Sequence, residues 1–375
     1  MDSKEKVLVL GAGVSGLSSG ILLLKEGFDV TIWAKDFSTN ITSSKASAII
    51  HPSLCSNEKK IIIWGILFSL PIIGNIARFI YPPFIKIYSL LYKKNSSKIN
   101  TKINKKQEEL LSMGEFTYDY IKNNILNNNN SGCIERNVKE IFNRQKKKPA
   151  WSNSHWIKTK GNFKRIPKEE LPKTYIDGYE INTIVVEPNI YMNYIMNHFK
   201  QLGGKIVQKD IQNIDDILES GFQTIVNCTG LGSRTLFNDK TVYPVRGQSI
   251  TIKKIPGIED AIVDHDNPVK NLCIITPRIN NITLGGVDQA YNYNLEPDEK
   301  DTKDIIKKCT EIDPRLKDLE IVDVTVGLRP QRYPIRIEKE TIANKTIIHN
   351  YGHGESGFTL SWGCAKKVVD LVKNI

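Results

Sequence analysis

An unbroken apolar run, Val7 to Leu10, gives way to Gly11-Ala12-Gly13-Val14-Ser15-Gly16 and then to Leu17 through Glu26, where apolar residues recur at helical spacing. Consecutive apolar residues predict a strand buried on both faces, and the pattern after them predicts a helix stopped by Gly27. Asp29 to Trp33 predicts a second strand, completing a β-α-β unit. The buried-strand signature returns at Thr224-Ile225-Val226-Asn227-Cys228, ahead of Thr229-Gly230, and predicts a parallel neighbour in the same sheet. Glu187-Pro188 to Leu202, closed by Gly203-Gly204, reads as a helix, with Lys205 to Val207 the strand after it. A helical pattern also covers Gln107 to Asn123, before a low-complexity loop at Asn127 to Asn130. Tyr243 to Gly286 alternates instead and is rich in Ile, Val and Thr, the pattern of an antiparallel sheet.

Residues 59 to 94 break the style of the chain. Lys59-Lys60 opens a mostly apolar run from Ile61 to Ile80, followed by Pro82-Pro83, further apolar and aromatic residues to Tyr92, and Lys93-Lys94. Its length is near the ~20 residues that span a bilayer, but Pro71, Asn75 and Arg78 interrupt it. Two readings stay open: a lysine-flanked hairpin that makes peripheral membrane or partner contact through residues 61–92, and a buried helical insert. A polar, lysine-rich linker then reaches Lys106.

At 375 residues the chain suits two intimately packed domains. The formal charge of +11 collects at Lys93 to Lys106 and around Lys139 to Lys148, where no nucleic-acid module is recognisable, so solvated lysine faces are expected and no nucleic-acid partner. Six cysteines without a C-x-x-C pair, and a start that runs directly into a strand, predict a reduced intracellular protein with no structural zinc or other metal. The expected compartment is cytoplasmic or peroxisomal, although Val372-Lys373-Asn374-Ile375 is not a Ser-Lys-Leu type of signal.

The glycine string carries the first chemistry. Gly11 permits the tight turn, Gly13 lets backbone approach a phosphate with no Cβ in the way, and Gly16 lets helix and strand pack closely, while the amides of Val14 and Ser15 stand at the helix N-terminus ready for a pyrophosphate. Asp36, one place later than the commonest arrangement, is the candidate for a ribose hydroxyl. Lys35 is open to two readings, a phosphate contact or an exposed turn residue. Thr42 to Ala48 supplies hydroxyls and small side chains suited to lying flat against a cofactor.

Near the C-terminus, Gly327-Leu328-Arg329-Pro330-Gln331-Arg332 is followed by His349-Asn350-Tyr351-Gly352-His353-Gly354. With the glycine loop, with Val226 to Arg234 and Tyr243 to Gln248, and with Thr283-Leu284-Gly285-Gly286, this pair resembles the D-amino-acid oxidase family of FAD enzymes, which includes D-aspartate oxidase. The resemblance covers most of the chain outside residues 59–104. It implies an α/β architecture: a Rossmann-like FAD-binding domain (1–58, 183–238 and 322–375) interleaved with an antiparallel-sheet substrate domain (105–182 and 239–321), with 59–104 an insertion. It implies FAD as cofactor, a D-amino acid and oxygen as substrates, and a homodimer as an assembly left open.

The family's positions fall on particular residues here. Ser43 and Ser44 match its hydroxyl-rich stretch near the pyrophosphate and flavin, and Thr229-Gly230 its second cofactor contact. Gly354, Gly357, Phe358 and Thr359 match the segment that meets the flavin, at the start of a helix whose N-terminus would favour negative charge on the reduced ring. Arg329 matches the guanidinium that forks onto the substrate α-carboxylate, a grip that lysine could not reproduce; without that resemblance it would read as a surface arginine in a proline-bounded turn. Glu355 stands where the family turns a backbone carbonyl toward the substrate amine, and His353 reads as a structural member of the turn.

Departures bear on substrate. The family's usual tyrosine before the proline is missing from Cys273-Ile274-Ile275-Thr276-Pro277, leaving Tyr291 or Tyr293 as replacements. D-aspartate oxidases carry an arginine soon after Leu-Gly-Gly, whereas Asp288 stands near that place and would repel an acidic substrate, so neutral or basic D-amino acids are expected. Three alternatives stay open: a D-aspartate oxidase, another FAD amine or imino-acid oxidase of the superfamily, and a non-catalytic flavin scaffold whose insert binds membrane or a partner.

Overall fold

The structure, a computed structural model, describes residues 4–37, 41–55, 96–264 and 273–375, with side chains from residue 105 onward in the helix that begins at Ser96. The N-terminal unit forms as its pattern predicts. Strand β1 (Lys6–Leu10) pairs in parallel with β2 (Asp29–Ala34), and helix α1 (Val14–Lys25) crosses between them. Both faces of β1 are covered, which is why Val7 to Leu10 are all apolar. Val7 and Val9 pack in the cluster with α1, and Leu8 and Leu10 pack with Ile217, Ile225 and Ile347 on the other side. The helix starts three residues ahead of the expected Leu17, because the last extended residue is Gly13.

In chain order there follow α2 (Ser96–Asn124), β3 (Cys133–Phe142), β4 (Lys164–Arg165), β5 (Asp177–Val186), α3 (Pro188–Gln201), β6 (Lys205–Gln208), β7 (Thr224–Asn227), β8 (Tyr243–Lys253), β9 (Ala261–Asp264), β10 (Cys273–Pro277), β11 (Asn281–Gly285), β12 (Gln289–Ala290), α4 (Glu299–Ile312), β13 (Ile321–Ile342), β14 (Lys345–His353) and α5 (Gly357–Lys373). Among the described residues the strands join in one mixed sheet, ordered β4-β5-β3-β9-β10-β11-β8-β13-β14-β7-β1-β2-β6, with β12 beside β8. The β14-β7-β1-β2-β6 portion is parallel. From β4 to β14 neighbours run antiparallel, apart from β3 with β9.

The 22-residue β13 links the two portions: its first half pairs with β8 and its second half with β14. This strand corrects the alternative of a proline-bounded turn for Arg329. Pro330 pairs opposite Pro244, and Pro334 falls where the β13–β14 register shifts between Gln331 and Arg336, positions where a missing amide disrupts little of the ladder.

Alternation gives the antiparallel portion two distinct faces. Ile250, Ile252, Cys273, Ile275, Ile282 and Leu284 point to one side and pack on Ile305, Cys309 and Ile312 of α4. The other set, represented by Ser249, Gly285, Ile274 and Val263, faces a cavity. On the parallel side α5 is wedged among α1, α2 and α3. Ser18 Oγ donates to Ser361 O (3.2 Å), Trp362 Nε1 donates to Tyr191 Oη (2.7 Å), and Trp362 stacks on Tyr120 with centroids 3.9 Å apart. The C-terminal helix is thereby fixed against the first one, and both N-termini open toward the same cavity. No helix among the described residues is long and apolar enough to cross a membrane, and the 61–92 run lies outside those residues.

Candidate active site

A cavity of about 420 Å³ runs from the glycine turn, past the loop after β2, to the free face of the antiparallel strands. At its first end the glycines divide the work. A Cβ on Gly16 would stand 1.9 Å from Gly11 O, and one on Gly11 (φ +98°) would stand 2.7 Å from Cys228 O. These two therefore do not line the cavity; they let β1, α1 and the turn after β7 close on one another. Gly13, Val14 and Ser15 then form the wall, facing Thr229 and Gly230 of the β7 turn. Val14 N donates to Ser43 Oγ at 3.0 Å, so a hydroxyl already caps the first helical amide from the neighbouring loop. Asp36 also lines this end.

Two residues expected here are placed elsewhere. Lys35 is exposed and its Nζ lies 3.0 Å from Asp210, an ion pair across the β2–β6 edge, outside the cavity wall. Ser44 is buried behind Ser43, its amide bonded to Ile41 O (3.0 Å), and is not part of the wall.

The C-terminal segment makes the middle of the cavity. Gly354 has φ +56°, and a Cβ there would stand 2.0 Å from Gln331 Oε1, so this turn both bends backward and lies against β13. Gly354, Glu355, Gly357 and Phe358 all line the cavity, Glu355 with an exposed side chain. Thr359 does not. Its Oγ1 donates to Ile49 O (3.1 Å) and accepts from His51 N (3.2 Å), tying α5 to the loop after β2. Among the described residues, buried Asn350 Oδ1 and His353 Nε2, both on wall residues, have no hydrogen-bond partner. Burial pulls the His353 imidazole down to about 4, so it is neutral at physiological pH, consistent with a structural rather than a cationic member of the turn.

Arg329 enters from β13. It stands opposite Val245 on β8, and its guanidinium lies over Gly247, where a Cβ would be 2.5 Å from Nη2. Nη1 donates to Val287 O (3.1 Å) and to Asp288 Oδ1 (2.6 Å). Both of these bonds leave from Nη1, and Arg329 is itself part of the cavity wall. Ser249, two residues along β8 from Gly247, lines the cavity as well, with its Oγ 3.0 Å from Thr325 Oγ1. Tyr291 and Tyr293 do not supply the missing phenol. They line a separate polar recess with Arg246 and Asp301, where Tyr291 stacks on Tyr243 at 4.5 Å.

The sequence reading missed His51 and Glu140, both in the wall, and did not single out Gly247 or Lys45 within the strings that contain them. A signal existed for Glu140 alone: it occupies the inward phase of Val138-x-Glu140-x-Phe142, where the alternation calls for an apolar residue.

Against known proteins, the model of the DAO family, described as FAD dependent oxidoreductase, matches residues 6–371. A D-amino-acid oxidase of Dictyostelium discoideum is 38% identical over 98% of this chain and 92% of its own length. A D-amino acid oxidase of Dugesia ryukyuensis is 33% identical over 98% of each chain. A human D-aspartate oxidase is 32% identical over 58% of this chain and 64% of its own. Among solved structures, glycine oxidase from Bacillus cereus superposes with a TM-score of 0.71 at 16% identity, covering 99% of this chain and 95% of that one, which speaks for the fold.

Proposed function

This chain belongs to the DAO family of FAD-dependent oxidoreductases, and we propose that within it the protein oxidises D-amino acids to 2-oxo acids, with release of ammonia and hydrogen peroxide. The wall residues fit FAD. Two helix N-termini, α1 and α5, open on one elongated cavity, glycines keep side chains out of its path, and Asn350 Oδ1 awaits a donor. In this reading Gly13, Val14, Ser15 and Ser43 hold the pyrophosphate, Asp36 a ribose hydroxyl, Thr229-Gly230 the opposite side, and Gly354, Gly357 and Phe358 the ring. Gly11, Gly16 and Thr359 keep that frame closed. The flavin, when bound, supplies the hydride acceptor and returns the electrons to oxygen.

What the chain itself must do is hold an amino acid with its α-hydrogen aimed at the ring. Arg329 is the group for that task. The carboxylate takes the Nη2 side of the fork while Nη1 stays on Val287 O, so the guanidinium plane is set before substrate arrives. Ser249 is the hydroxyl in the same stretch of wall, and stands in for the absent tyrosine. The Glu355 backbone lies at the α5 entrance, in position for the substrate amine. The observation that carries the reading is the placement of an arginine, backed by a bare glycine, in the wall of a cavity shared with a dinucleotide-type turn.

The similarity to a D-aspartate oxidase supports a second reading. Asp288 weighs against it, since it pairs with Arg329 at 2.6 Å where a second substrate carboxylate would call for another cation. Arg329→Ala in the purified holoprotein tests the assignment. KM for any oxidised D-amino acid should rise at least 100-fold with flavin still bound, and an unchanged KM would remove Arg329 from the substrate site.

A further inference from the structure

The turn after β7 is held from behind by two fully buried side chains, Asn227 and His349, neither of which is part of the cavity wall. Thr229 and Gly230 do stand in that wall, and Asn227 bonds back to them. Its Oδ1 accepts both the Thr229 amide (3.1 Å) and the Thr229 hydroxyl (2.8 Å). A backbone N–H can only donate, so the oxygen of the Asn227 amide faces Thr229 and its nitrogen faces the other way.

That nitrogen has two partners. Nδ2 donates to Ser233 Oγ (3.1 Å) and lies 3.1 Å from Nδ1 of His349, which pairs opposite Asn227 in the parallel β14–β7 ladder. Because Nδ2 is a donor, Nδ1 carries the lone pair and the ring proton sits on Nε2. Nε2 then donates to Glu340 Oε2 at 2.8 Å, a partly exposed carboxylate on β13 that Arg336 also grips at 2.9 Å. Phe237 closes on the ring edge-to-face at 5.1 Å, and burial lowers the imidazole's pKa, which keeps it neutral.

With the imidazole in this tautomer one orientation of Asn227 satisfies every group. Inverted, the amide would set its NH2 against the Thr229 N–H and its oxygen against the Nδ1 lone pair. Ser233 does not settle the choice, since a hydroxyl donates or accepts as required. Resting on the reading that seats FAD against the Thr229-Gly230 turn, we propose that His349, in its Nε2–H form, is a positioning residue for the cofactor: it orients the Asn227 amide, which sets the Thr229 peptide in the wall. The string His349 to Gly354 thus serves the site twice, through Asn350 to Gly354 in the wall and through His349 behind it.

Two substitutions split the imidazole. His349→Asn keeps an acceptor at the place of Nδ1, whereas His349→Gln keeps a donor at the place of Nε2 and leaves Asn227 without an acceptor. FAD affinity is measured on the purified holoprotein by dilution, with free flavin separated by ultrafiltration. His349→Gln should weaken FAD binding by about 10- to 100-fold, the worth of an inverted or unmet buried amide. His349→Asn should stay within about threefold of wild type, because the contact it gives up is to a carboxylate that solvent and Arg336 still satisfy. A histidine that only fills space predicts the two variants alike, so equal affinities, or the reverse order, overturn the proposal. NMR of the 15N-histidine-labelled wild type reads the tautomer directly, and an Nδ1–H signal for His349 overturns the proposal even if a variant fails to fold. Gly230→Asn, which the turn's φ of +57° tolerates, separates this proposal from the reading beneath it. FAD binding unchanged there removes the cofactor from this turn and the proposal with it, whereas FAD lost there but kept by His349→Gln removes the His349 relay alone.

Discussion

Gly247→Ala isolates the guanidinium grip better than removing the arginine. The added Cβ would stand 2.5 Å from Nη2, 2.6 Å from Cζ and 2.8 Å from Nη1 of Arg329. Ordinary contact is about 3.5 Å, so the guanidinium must move by roughly 1 Å. The strand itself has no objection: position 247 lies in regular β8–β13 pairing and carries no positive φ. Because the obstructing atoms are the tip of a flexible side chain, folding should change by less than about 1 kcal/mol. Substrate binding should change far more, since the fork no longer meets both carboxylate oxygens. Losing one charge-assisted bond costs about 1.5–3 kcal/mol, or roughly 10- to 150-fold in KM. Steady-state peroxide release and a thermal melt on the same preparation separate the two effects. In an Arg329→Ala background the glycine substitution should have no further effect on KM, because the group it displaces is gone. A KM within twofold of wild type, or a collapsed melting temperature with normal KM, would refute the reasoning.

Three further outcomes follow from other contacts. Gly16→Ala drives a Cβ against the Gly11 carbonyl, backbone that cannot step aside, so the melting temperature should fall by the equivalent of about 1–3 kcal/mol and the flavin-to-protein absorbance ratio should drop; full retention of flavin would count against the glycine-turn assignment. Asp288→Asn removes a half-exposed carboxylate from Arg329 Nη1, a pair worth about 0–1 kcal/mol, so KM for neutral D-amino acids should fall by up to about fivefold, and a rise would mean that Asp288 positions the arginine. His353, buried with its pKa lowered to about 4, is neutral in the fold while the unfolded chain titrates near 6.5, so protonation favours the unfolded state as pH falls from about 6.5 to about 4. That window is worth roughly 3 kcal/mol, and a His353→Gln variant should show a flatter acid limb in denaturant melts; an unchanged slope would contradict it.

The parts of the fold legible in the sequence are those set by local rules. The β-α-β unit declared itself through the change from a continuous apolar run to helical spacing, and Gly11, Gly13 and Gly16 through the steric demands of one turn. Arg329 stood out through the strings around it, although its setting was hidden: Pro330 and Pro334 argue against a long strand, and only the pairing with Pro244 and the β13–β14 register shift reconcile them with β13. Lys35 and Asp36 are neighbours in sequence, yet strand alternation and an exposed partner, Asp210, send one away from the cavity. Gly247, Ser249 and Glu140 owe their places to register across strands far apart in the chain, which no window of local sequence carries. Thr359 was chosen for the right segment, but two residues along the helix from Gly357 its hydroxyl turns from the cavity to Ile49 O and His51 N.

The most direct measurement of the central claim is rapid mixing of the purified flavin-loaded protein with single amino acids in the absence of oxygen, following the visible flavin band. D-amino acids should bleach it, and readmitted oxygen should restore it with one peroxide released per cycle, while the L-enantiomers leave it untouched. A band that no D-amino acid bleaches, or that L-enantiomers bleach equally well, would contradict the account.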